Sequence, residues 1–241
     1  MPLRPILFRF ATAAAAVITA AAPAAAQQRA AAPAAGPFAR IVVIEPRRGE
    51  QQAFEAGYQR HLEWHRAAND PWTWYGWSFV LGDRIGMFMD GTFGHAAADF
   101  DHAVQPAADA ADNALNVSPY ADFRTHGVYE RLDALGGGAA LPDTSAFLAL
   151  TTYRVQPGRE RAFEAAVAAR RNGGATRESW LRLRIGGESP QYLLMRPAPS
   201  WAAAAELPDF FEAAPAPAIA ELVTSVRTEL LRYRPTLSHH P

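Results

Sequence analysis

The chain has 241 residues and a formal net charge of −1, with no cysteine and no lysine; all 23 basic residues are arginine, set against 24 acids. The missing cysteine excludes disulfides, thiol nucleophiles, thiolate zinc sites, iron–sulfur clusters and c-type haem attachment, and the missing lysine excludes Schiff-base catalysis and a phosphate-loop lysine. A near-neutral chain has no electrostatic footprint for nucleic acid, so what remains is the chemistry of His, Asp, Glu, Arg, Ser, Thr, Tyr and Trp, or binding alone.

In chain order, residues 1–26 combine Arg4 and Arg9 with an Ala-rich apolar stretch and a closing Ala24-Ala25-Ala26. This is the layout of a secretory signal peptide cleaved after Ala26, and the stretch is too short for a permanent membrane span. A periplasmic or secreted protein with no membrane attachment after cleavage is expected. Residues 27–37, rich in Ala, Pro and Gln, read as a flexible linker.

From Phe38 the chain reads as one unit written twice, 38–134 and 146–236, with a Gly-rich linker at 135–145 and a tail at 237–241. The first half opens on Ile41-Val42-Val43-Ile44, then Gly49 and Ala53-Phe54-Glu55-Ala56; the second opens on Phe147 to Tyr153, then Gly158 and Ala162-Phe163-Glu164-Ala165, an offset of 109. Further on, Trp74 matches Trp180 and Met89 matches Met195 at an offset of 106. Strands are expected at Ile41–Ile44, Thr73–Leu81, Arg84–Met89 and Val128–Leu132, then at Leu148–Arg154, Trp180–Ile185, Gln191–Arg196 and Glu229–Tyr233. Gly82-Asp83 supplies a hairpin turn. Helices are expected after Gly49 and Gly158, after the N-cap candidates Thr92 and Ser200, and over Pro106–Asn116. The fold class is α+β: two tandem ferredoxin-like (βαββαβ) repeats packed sheet to sheet.

In element order over residues 40–235, the chain resembles the dimeric α/β-barrel superfamily, of the antibiotic-biosynthesis monooxygenase-like, NIPSNAP-like and EthD-like kind, fused in one chain. The resemblance implies a site between the two sheets. Several branches of the superfamily bind haem through one histidine, a role open here to His61, His65 or His95; haem-degrading members also use an Asn and a Trp, and the first strand of this chain has no Asn. No cofactor and no metal are assigned.

Strand alternation divides the second strand of each half into two faces. Tyr75, Trp77 and Phe79, with Leu181, Leu183 and Ile185, are expected under helices. Trp74, Gly76 and Ser78, with Trp180, Arg182 and Arg184, are expected to line the space between the sheets. Two indoles and two guanidiniums would suit a small, planar, anionic ligand; the competing reading is that the tryptophans only fill the interface and the arginines pair with acids. Five of the seven histidines fall in the first half, between His61 and His126. His61 and His65 are one helical turn apart and are the candidate catalytic pair, as base or as ligand. Glu63 lies between them at neither position that a zinc protease requires, which excludes that class. His95, Asp99 and His102 form a second, weaker constellation, and the run from Asp70 to Trp77 is the densest aromatic stretch. Three functions follow: an exported small-molecule binder, a cofactor-independent or haem-assisted monooxygenase-like enzyme, and a structural or partner-binding domain without a pocket. The sequence leaves the oligomeric state open.

Overall fold

The computed structural model describes residues 36–137, 142, 144–170, 177–208 and 221–241. The expected signal peptide and most of the linker after it lie outside the described residues, as do parts of the Gly-rich linker. In order, the elements are β1 (Phe38–Pro46), α1 (Gln51–Ala67), β2 (Tyr75–Leu81), β3 (Phe88–His95), a 3-10 turn (Ala97–His102), α2 (Pro106–Asn116), β4 (Ala121–Arg131), β5 (Phe147–Val155), α3 (Glu160–Ala169), β6 (Ser179–Ile185), β7 (Gln191–Ala198), α4 (Trp201–Ala205), β8 (Val223–Tyr233) and a second 3-10 turn (Pro235–Leu237). Among the described residues no helix is long and apolar enough to cross a membrane.

The eight strands form one closed antiparallel barrel in the order β1-β3-β2-β8-β5-β7-β6-β4. Closure is made by two edge pairings: β2 on β8, with Trp77 opposite Tyr233 and Phe79 opposite Leu231, and β4 on β6, with Tyr129 opposite Leu183 and Arg131 opposite Leu181. The expected sheet-to-sheet packing is therefore an edge-to-edge closure, which gives every strand a neighbour on both sides along part of its length.

β1 is a continuous apolar run because it is buried on both sides. Ile41 and Val43 face the barrel interior, while Val42 and Ile44 lie under α1. Every strand sends residues inward to one core, including Trp77, Phe79, Met89, Leu150, Leu183 and Leu231. Outside, α1 places Phe54, Tyr58 and Leu62 on Val42, Ile44 and Phe88, and α3 places Phe163 and Val167 on Tyr153, Trp180, Tyr192 and Leu194. Gly57 lets α2 approach α1, since a Cβ there would stand 1.9 Å from the carbonyl oxygen of Asn116.

Several boundaries differ from the expectation for physical reasons. β4 and β8 begin seven and six residues earlier than Val128 and Glu229, at Ala121 and Val223, because their first segments are polar and exposed and carry no hydrophobic alternation. β3 is displaced to Phe88–His95, so Thr92 is a fully buried strand residue and not a helix cap. Ser200 does cap α4, its Oγ accepting from the Ala203 N–H. Of the tail at 237–241, Leu237, Ser238 and His239 are buried, and Trp74 and His239 exchange both backbone hydrogen bonds at 2.9 and 2.8 Å.

Candidate functional site

The inward and outward faces of the second and sixth strands are the reverse of those expected. Tyr75, Trp77 and Phe79, with Leu181 and Leu183, belong to or pack on the barrel interior. Each face carries a large apolar residue and each strand is covered on both sides, so alternation separates the two sets without saying which is inside. Trp74, Ser78, Trp180, Arg182 and Arg184 therefore do not meet in one cavity.

Trp180 lies under α3, its ring 5.3 Å from that of Tyr153 and 5.9 Å from that of Phe163. Arg182 bridges Glu130 at 2.9 Å and Glu164 at 3.1 Å, and Arg184 reaches Glu130 at 3.3 Å. Ser78 accepts from Arg234 at 2.8 Å, and Arg234 pairs with Glu55 of α1 at 2.7 Å, so this chain of contacts fastens the helix to the barrel.

His61, His65 and Trp74 do come together, under α1 and α2. Carboxylates can only accept, so the two imidazoles must donate from Nδ1: His61 to Asp112 at 2.8 Å and His65 to Asp70 at 2.7 Å. Their Nε2 atoms face one oxygen of Asp109, at 3.4 and 3.7 Å. Asp70 also accepts the indole N–H of Trp74 at 2.9 Å and the backbone N–H of Trp72 at 2.9 Å. The Arg40 guanidinium lies 4.7 Å over the Trp74 ring, a cation–π contact that holds it against the cluster. Below, Asp90 is buried and takes the Tyr58 hydroxyl at 2.8 Å on one oxygen, while its other oxygen, Oδ1, has no hydrogen-bond partner.

Burial sets the titration of this cluster. It holds His61 below the ordinary imidazole value, opposed by the hydrogen bond to Asp112. It pushes Asp90 up to about 6 against the pull of the Tyr58 hydrogen bond and Arg40. Burial also raises Asp70, but the hydrogen bonds from His65, Trp72 and Trp74 together outweigh it and hold the carboxyl below its ordinary value. Sequence reasoning found the two histidines through their spacing and missed Asp70, Asp90, Asp109, Asp112, Arg40 and His239. Asp109 and Asp112 read as the solvated side of an Ala-rich helix, and only the contact between α1 and α2 gives them a role.

An axial haem role does not fit His61 or His65. The neighbouring rings of Tyr58, Trp64 and Trp74 lie at 6.2, 5.0 and 5.6 Å from these imidazoles, and carboxylates occupy the remaining approaches, so no open apolar slot stands over either ring. The Nε2 of His95 is taken up by the Thr92 hydroxyl at 2.6 Å.

The barrel interior opens into a separate cavity of about 810 Å³ at the end where the β2–β3 and β6–β7 turns meet. Its inner wall includes Ile41, Met89, Leu150 and Leu183, with Tyr129, whose hydroxyl accepts from Gln191 at 2.9 Å. Thr125, Thr152 and Thr228 add hydroxyls, and Arg84, Arg124, Arg154 and Arg227 stand around it. Neither His61 nor His65 lines it.

No family model and no curated protein matches the chain. Solved structures do. A candidate monooxygenase from Fusobacterium nucleatum aligns with TM-score 0.56 at 9% identity, covering 83% of this chain and 93% of that one. A chlorite dismutase from Candidatus Nitrospira defluvii aligns with TM-score 0.54 at 8% identity over 83% and 92%. An anthrone oxidase-like protein aligns with TM-score 0.51 at 12% identity over 82% and 91%. The fold is that of the dimeric α/β barrels. At these identities the likeness extends to the fold alone, and chemistry has to be argued from the residues of this chain.

Proposed function

We propose that this chain is an exported protein that binds a small organic molecule with an anionic edge inside the barrel. The observation that carries the reading is the cavity of about 810 Å³, within the size range of small-molecule sites, with an apolar inner wall and a mouth rich in arginine and hydroxyl groups. The Arg154–Glu188 and Arg227–Asp83 pairs span 3.3 and 3.5 Å, and the side chains of their acids are 88% and 80% exposed. Such pairs are weak, so a ligand carboxylate can take over Arg227 at little cost, whereas Arg154 also donates to the backbone carbonyl of Glu188. The Tyr129–Gln191 pair gives a planar ligand a polar contact deeper in.

Each half has the same local strand order, β4-β1-β3-β2 and β8-β5-β7-β6, which supports a tandem ferredoxin-like duplication whose two arcs jointly enclose the cavity. Export rests on the composition of residues 1–26. A monooxygenase-like reaction in the barrel with His61 or His65 as base is not favoured, because both lie on the outer face.

Ligand-observed NMR against small aromatic acids tests the reading. Binding is expected, at least tenfold weaker in Thr152→Trp, which fills the cavity from its lining. No binder, or equal binding by that variant, overturns it.

A further inference from the structure

We propose that His61, His65 and Asp109 form a binding site for one divalent first-row transition ion, with Zn²⁺ the best match, on the outer face of the barrel between α1 and α2. The site is independent of any ligand in the barrel. Its ligand atoms are the two Nε2 nitrogens and a carboxylate oxygen, all within 4.8 Å of one another.

The distances are those of co-ligands more than of direct partners. At 3.4 and 3.7 Å, the Nε2 contacts with Asp109 are too long for hydrogen bonds. Two atoms each about 2.0–2.1 Å from a tetrahedral Zn²⁺ stand about 3.3–3.4 Å apart. Geometry around the imidazoles points the same way. Each donates Nδ1–H to its own carboxylate, His61 to Asp112 and His65 to Asp70, which fixes both tautomers and turns both Nε2 lone pairs to one point. Carboxylate–histidine pairs of this kind commonly orient and strengthen metal-ligating imidazoles. Asp70 is itself held by Trp72 and Trp74, so the His65 ring is braced from two more directions.

Charge completes the case. Among the described residues, no arginine pairs with Asp70, Asp109 or Asp112, whose ion-pair partners are the two histidines. A fourth acid, the buried Asp90, lies in electrostatic range of His65 and Asp109 with one oxygen unpartnered. A dication would offset this concentration of carboxylates. Two nitrogens and one oxygen suit Zn²⁺ better than the all-oxygen shells of Mg²⁺ or Ca²⁺, and three protein ligands leave a fourth position for water.

The test is calorimetric titration of the full chain, stripped with chelator, with Zn²⁺ and then Mg²⁺. One Zn²⁺ per chain and no saturable Mg²⁺ binding are expected. His65→Ala and the near-isosteric Asp109→Asn, whose side chain is only partly buried, should each weaken Zn²⁺ by about 100-fold or more, and Asp70→Asn, a positioning change, by about 10–100-fold. Circular dichroism of Asp109→Asn checks that the fold survives. His102→Ala and His240→Ala should bind as the wild type does. Absence of stoichiometric Zn²⁺ binding overturns the proposal, as does unchanged affinity in Asp109→Asn or a loss that follows His240→Ala.

Discussion

Helices α1 and α3 each lay a phenylalanine on the outer face of the barrel, Phe54 against Phe88 and Phe163 against Tyr192, and neither ring is exposed to solvent. Beyond that shared anchor the two regions diverge. α3 has 10 residues, and its buried side chains are Phe163 and Val167. α1 has 17, and its added turns bury His61 and His65 among carboxylates. Packing needs only the first pattern. The second retains buried polar groups that an apolar face of similar shape could replace, a common mark of a site. The difference gives the face under α1 a buried polar cluster and leaves the face under α3 to apolar packing.

The largest expected effect tests the shared part. Phe54→Ala and Phe163→Ala should each cost about 3–5 kcal/mol, the range for deleting a fully buried phenylalanine, measured by urea unfolding. Similar losses keep the comparison; a loss below about 1 kcal/mol at Phe54 would break it, because α1 would then be held by its polar contacts alone.

A smaller effect should appear only over the first arc. Asp90 has a folded-state pKa of about 6 against an ordinary 3.8, so the folded chain binds the proton more tightly than the unfolded one. The stability tied to that proton is fully present below pH 3.8 and is lost as pH rises through about 6. Asp90→Asn, which keeps an acceptor for Tyr58, should therefore gain roughly 1–3 kcal/mol over wild type at pH 8 and about half as much at pH 5. Urea midpoints at the two pH values check this, and a gap that does not widen with pH would show that Asp90 is not an unpaired buried charge.

The same contrast explains what the sequence made legible. Hydrophobic runs and Gly punctuation mark the order of elements because the strands other than β4 and β8 are buried along much of their length. The sign of the faces is not marked: Trp77 and Trp74 are both large and apolar, one packed in the barrel and the other against Asp70 and Arg40. The first halves of β4 and β8 are hidden by polarity, since they run past the helix cover toward the cavity. His61 and His65 are visible as neighbours through helical spacing, whereas Asp109 lies 44 positions beyond His65 and joins them only where Gly57 lets α2 close on α1.

The smallest expected effect concerns Arg182, one of the two cations that the sequence placed in the ligand cavity. Its side chain is 29% exposed and lies on the outer face, opposite in parity to Leu181 and Leu183, which point into the barrel. In Arg182→Ala neither acid is stranded: Glu164 keeps the Tyr192 hydroxyl at 2.7 Å and Glu130 keeps Arg184 at 3.3 Å. The cost should stay at or below about 1 kcal/mol, as for a partly solvated ion pair. Affinity for a ligand that Thr152→Trp displaces should be unchanged. A tenfold loss in Arg182→Ala would instead place the ligand under α3, beside Trp180, and would give the second arc the chemistry that its packing does not require.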